Sequence, residues 1–197
     1  MFPFKIHLCI AVAGYASDIT CSFPANGKFL PRQKEIYLGV LQAQLDVYTM
    51  LKPGVCYRDC HKVAEAALLR MLISVGIVKP GDKTIEELVE MRLCAVFFPC
   101  GLGHFIGCDY HDVGGYLPGH PDRSSLPGLK KLRTARILKE GMVLTVEPGC
   151  YFIDHLIDEA LAEGSPLRPY LDEEIVNSYR GFGGVRLEDV LVGKNIL

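Results

Sequence analysis

The sequence predicts an α/β fold of the α+β kind, built as one domain, and three observations predict it. Strand-type stretches occupy both ends of the 197-residue chain, three helical periodicities lie between them, and glycine- and proline-bearing turns separate the two patterns. Helices set between two strand regions that each carry acids suit a pseudo-symmetric layout, although no internal repeat accompanies it.

Residues 7–12 are apolar, Ala13-Gly14 is turn-like, and residues 15–23 (YASDITCSF) are strand-type, so a β-hairpin is expected. Asp18 falls in the middle of its second strand, where a carboxylate needs a partner or a cation. After a turn at residues 24–28, residues 31–51 carry Ile36, Val40, Leu41, Leu45 and Tyr48 at helical spacing, stopped by Lys52-Pro53-Gly54. A second helix is expected over about residues 58–75, with Val63, Ala67, Leu68 and Met71 on one face, and a third over residues 85–92. These apolar faces read as packing surfaces. Cys56 and Cys60 stand four apart before His61, which suits a buried helix face better than a zinc site, since no second ligand pair follows.

An apolar run at residues 95–98 is expected to be a strand ending at residues 100–115, CGLGHFIGCDYHDVGG. Glycine so dense costs conformational entropy, which points to backbone passing close to something bulky or charged. Both His104 and His111 lie there. Residues 115–128 form a loop, and Lys130, Lys131, Arg133 and Arg136 follow it. Such a run is usually a solvated face, but one arginine at the mouth of a site can hold a carboxylate by paired hydrogen bonds. Residues 142–149 (MVLTVEPG) read as a strand with Glu147 at its end, residues 154–171 as a surface insertion with one short helix, and residues 181–192 as a glycine-led strand containing Glu188.

Composition excludes several function classes. With 49% hydrophobic and 22% charged residues the chain is globular, and a net charge of -2 without a basic block leaves a nucleic-acid partner unsupported. No apolar run reaches the ~18 residues that cross a bilayer, so no membrane partner is expected. Residues 1–16 weakly imitate a signal peptide, yet the strand of residues 15–23 continues from them directly. Eight cysteines, most of them in apolar runs, indicate reduced thiols and a cytoplasmic location.

Asp18, Glu147 and Glu188 are three acids in strand sequence, and His104 is flanked by glycines. On adjacent strands the carboxylates would repel one another unless protonated or bound to a cation. One imidazole with several oxygens suits Mn, Fe, Co or Zn better than Ca or Mg.

The order of ASDITCSF, GLGHFIG, HDVGG, LRTAR, TVEPG and GFGGVRLED resembles the prolidase branch of the metal-dependent aminopeptidase family. The resemblance implies a pita-bread fold, a curved antiparallel sheet flanked by helices and incomplete here at both ends, with residues 15–197 a partial catalytic domain. It implies hydrolysis of Xaa-Pro dipeptides by a metal-bound hydroxide, usually with two manganese ions. Asp18 and Glu188 resemble the bridging acids, and His104 and Glu147 ligands of one ion. Glu147 also resembles the general base, His111 the imidazole that steadies the scissile carbonyl, and Arg133 the holder of the proline carboxylate.

Residues 1–14 diverge from the pattern. The family's first-strand aspartate is replaced by His7, and the first histidine of its HGxGH segment by Cys100. One divalent ion, most consistent with Mn, is therefore expected to bind firmly and a second weakly, with His7 the weaker candidate ligand. The family's N-terminal domain and last segment have no counterpart in this chain, so an exposed sheet edge and a homodimer are expected. An inactive form acting by protein binding is the alternative to an enzyme.

Overall fold

The computed structural model of the chain describes residues 3–192; residues 1–2 of the divergent segment and 193–197 of the expected domain lie outside them. Residues 3–24 form an antiparallel pair, β1 (Pro3–Val12) and β2 (Tyr15–Pro24), in register from Pro3 opposite Pro24 to Val12 opposite Tyr15. Ala13 and Gly14 close the hairpin with φ of 52° and 83°, the left-handed pair that a two-residue turn of this twist requires. Because side chains alternate, His7, Cys9, Asp18 and Thr20 share the inward face, and Ile6, Leu8, Ile10, Val12, Tyr15 and Ile19 share the outward one.

That outward face is uncovered: Leu8 is 53% and Val12 70% exposed. Contiguous apolar surface of this kind drives association. Sedimentation velocity is expected to show concentration-dependent self-association that Leu8→Lys abolishes, whereas a monomer at all concentrations would contradict it.

The helices fall close to their expected positions: α1 (Pro31–Met50), α2 (Tyr57–Ser74) and α3 (Ile85–Glu90). Proline opens α1, and Thr84 caps α3, accepting from the Glu87 amide while the Glu87 carboxylate accepts from the Thr84 amide. The buried stripe of α1 is Ile36, Gly39, Val40, Ala43 and Val47, and Leu45 faces solvent. The small residues decide this, because a Cβ on Gly39 would overlap Met71 of α2. Cys60 and His61 lie on the buried face of α2, His61 stacked on Phe98 with ring centroids 5.0 Å apart. Beside them Arg92 donates through Nη1 and Nη2 to the buried Glu65 carboxylate.

The apolar run before the glycines is not a strand. Leu93–Val96 is a 3₁₀ turn, and Phe97 and Phe98 after it are fully buried. A short run buried on every side carries no periodicity to separate strand from helix. The C-terminal half adds β3 (Val143–Val146), β4 (Gly149–Tyr151), α4 (Asp154–Leu161), α5 (Glu173–Ser178), β5 (Gly184–Arg186) and β6 (Asp189–Val192). The segment expected as a surface insertion is docked: Ile157 and Ala160 of α4 are buried, and Leu171 bridges to Val78. The expected glycine-led strand is broken at Leu187-Glu188 into β5 and β6.

Among the described residues the strands form three antiparallel ladders, β1–β2, β3–β6 and β4–β5; a single bridge from Thr20 to Glu188 ties β2 to the segment between β5 and β6, and another ties Phe105 to Leu144 of β3. One apolar cluster joins α1, α2, the 3₁₀ turn and the inner sides of β3, β4 and β5. Among the described residues no helix is long and apolar enough to cross a membrane.

Candidate metal centre

Residues 102–106 lie antiparallel to β3 without being a regular strand. The Thr145 amide donates to the His104 carbonyl at 2.9 Å and the Glu147 amide to the Leu102 carbonyl at 2.7 Å. The glycines serve this approach. A Cβ on Gly103 would overlap the Thr145 carbonyl oxygen, so the bulky neighbour the sequence calls for is the chain's own backbone. His104 is thereby fixed beside Glu147, and the Thr20–Glu188 bridge brings β2 and its Asp18 to the same place.

The His104 ring is oriented by its neighbour. Its Nδ1 lies 2.9 Å from the Phe105 carbonyl oxygen, which only accepts, so Nδ1 carries the proton. The Nε2 lone pair then faces Asp18 Oδ2 at 3.2 Å and Glu147 Oε1 at 3.6 Å. Asp18 is fully buried, and neither of its oxygens, nor Glu188 Oε1, has a hydrogen-bond partner. One ligand atom each from Asp18, His104 and Glu188 lies within 4.8 Å of the other two. Burial, then the Glu147 and Asp18 charges, push the Glu188 carboxyl up to about 8 against the Thr20 hydrogen bond. A lone pair and several carboxylate oxygens converging without enough protons is a donor set that fits a divalent cation.

His111 packs edge-on to His104, ring centroids 4.4 Å apart. Burial, then the neighbouring His104 and Arg133, lower its pKa and keep its imidazole neutral. Together with Lys131, Arg133, Glu147, Arg186 and Cys100 it lines an open cavity of about 410 Å³. Arg133 is exposed there, apart from the buried carboxylates. Cys100 lies 3.1 Å from Arg186 Nη2, and burial raises its thiol pKa. His7 is also brought in, with Nδ1 3.5 Å from Asp18 Oδ1 and 3.7 Å from Glu188 Oε2.

Sequence reasoning missed four neighbours. Arg186 holds Glu147 Oε2 through Nη1 at 2.6 Å. Thr20 donates to Glu188 Oε2 and lies 2.9 Å from His7 Nδ1. Cys9 Sγ and the Tyr110 hydroxyl lie 3.0 and 2.5 Å from His7 Nε2. Strand alternation gives a signal for three of them, since Thr20, Cys9 and Arg186 each stand two positions from a singled-out residue. Tyr110 has no such signal.

The profile of metallopeptidase family M24 matches residues 3–194. Human Xaa-Pro dipeptidase is 52% identical over 179 residues, which cover 90% of this chain and 35% of that protein. A variant of Escherichia coli aminopeptidase P superposes with a TM-score of 0.69 at 34% identity, over 95% of this chain and 35% of that one. Pseudomonas aeruginosa aminopeptidase PepP superposes with a TM-score of 0.66 at 29% identity, over 95% and 36%. The chain thus spans little more than a third of the length of these relatives.

Proposed function

Because this chain belongs to metallopeptidase family M24, we propose that it holds a divalent ion, preferentially manganese, on Asp18, His104, Glu147 and Glu188 and hydrolyses dipeptides ending in proline. The observation that carries this reading is the buried meeting of the His104 Nε2 lone pair with Asp18 Oδ2, an oxygen that, like Glu188 Oε1, lacks a hydrogen-bond partner. We read the three ladders as parts of the curved sheet of a pita-bread fold.

When bound, the ion would acidify a water molecule and polarise the substrate carbonyl. Glu147 accepts the proton of the attacking water, and its ion pair with Arg186 holds the carboxylate in place. His111, neutral and beside His104, donates a hydrogen bond to the carbonyl oxygen as charge develops there. Arg133 offers paired donors to the proline carboxylate, and a longer C-terminus would not present its charge at that point. Eight free thiols support a cytoplasmic location.

The test is Gly-Pro hydrolysis with added manganese. The wild-type chain is expected to turn over and to carry one firmly held manganese by elemental analysis. Glu147→Gln is expected to lower kcat by about 10²–10⁴-fold. A second reading, a catalytically silent form acting by protein binding, is favoured by His7 where the family has a carboxylate and by the uncovered β1–β2 face. Absence of turnover in folded, metal-loaded protein would select it.

A further inference from the structure

The inward face of β1 carries two donors that the metal centre above leaves unused. His7 and Cys9 stand two apart on one strand, and Cys9 is directly opposite Asp18. One ligand atom from each of His7, Cys9 and Asp18 lies within 4.8 Å of the other two. Asp18 is common to this cluster and to the one with His104 and Glu188. Its Oδ2 lies 3.2 Å from His104 Nε2 and its Oδ1 3.5 Å from His7 Nδ1.

Hydrogen bonding fixes the form in which His7 is presented. Thr20 gives its hydroxyl proton to Glu188, so its oxygen accepts from His7 Nδ1–H. The Nε2 lone pair of His7 therefore faces Cys9 Sγ at 3.0 Å. The third member of the cluster, Asp18, is fully buried with both oxygens lacking a hydrogen-bond partner.

We propose that His7, Cys9 and Asp18 form a second ion position that takes zinc in preference to manganese. This rests on the reading of the first position, with which it shares Asp18. Thiolate, imidazole and one carboxylate oxygen leave a fourth, open place in a tetrahedral shell, and a sulfur donor favours zinc over the harder manganese ion. Binding transfers the Cys9 thiol proton to solvent and replaces the Tyr110 hydroxyl as the partner of His7 Nε2. His7 and Cys9 are exposed, so an ion reaches them without unfolding the chain. On this reading the departure from the family's aspartate changes the preferred metal at that position.

Titration of the full 197-residue chain with cobalt(II) under reducing conditions tests this. The second equivalent is expected to bring a near-ultraviolet thiolate-to-cobalt charge-transfer band. Cys9→Ser and His7→Ala should each remove that band, Cys100→Ser should leave it, and circular dichroism checks that all three variants fold. In zinc competition Cys9→Ser is expected to weaken the second equivalent by roughly 100-fold or more, beyond what losing an outer-shell partner costs. Cobalt bound without the band, or a band that survives Cys9→Ser, overturns the thiolate position and leaves the first centre standing. No cobalt bound at all overturns both.

Discussion

Asp18→Asn should make the metal-free protein more stable while destroying its ion site. Without a cation, folding brings the Asp18, Glu147 and Glu188 carboxylates together around the His104 lone pair. An amide at position 18 removes one of these charges and supplies an N–H facing His104 Nε2. We expect a gain of about 1–2 kcal/mol in chelator-treated protein. With manganese present the order reverses, because the wild type gains about 2.7 kcal/mol at an ion concentration of 100 Kd and the variant does not. Urea denaturation with and without chelator measures both, and a variant still stabilised by manganese would remove Asp18 from the ligand set.

The same crowding gives the metal-free protein a pH dependence of definite sign. Burial and the neighbouring Glu147 charge push the Glu188 carboxyl up to about 8 in the folded state, against 4.5 for an ordinary glutamate. Between those values the folded state keeps a proton that the unfolded state has released, so stability falls as pH rises through the window and levels off above it. The total loss is on the order of 3–5 kcal/mol. Saturating manganese should flatten the curve.

The second large effect lies away from the metal centre. Arg92→Met is expected to cost about 3–5 kcal/mol, since it leaves the Glu65 carboxylate fully buried without its guanidinium, beside His61 Nε2 at 3.2 Å. The double variant Glu65→Met/Arg92→Met removes both charges and should recover most of that loss. Equal loss in the single and double variants would mean that shape, and not the ion pair, sets the stability.

Elements with a clear period were legible in the sequence. The hairpin and the three helices follow from alternation, helical spacing and their stop residues, and three acids in strand sequence with one glycine-flanked histidine were enough to suspect a cation. Legibility ended where burial erases the period. Residues 93–98 are apolar whichever side they present, so the 3₁₀ turn could not be told from a strand. The docking of α4 rests on two residues, Ile157 and Ala160, within a polar stretch. Tyr110 escaped because its loop has no period at all.

The hydrogen bond from Thr20 to Glu188 spans 168 positions of sequence. A nascent chain leaving the ribosome therefore has its hairpin and first three helices before the first ion centre can assemble, because three of its four proposed donors, His104, Glu147 and Glu188, are still to be translated. On the proposed ligand set of Asp18, His104, Glu147 and Glu188, ion uptake follows closure of this long loop. Until then the hairpin waits with an unneutralised aspartate on one side and bare hydrocarbon on the other.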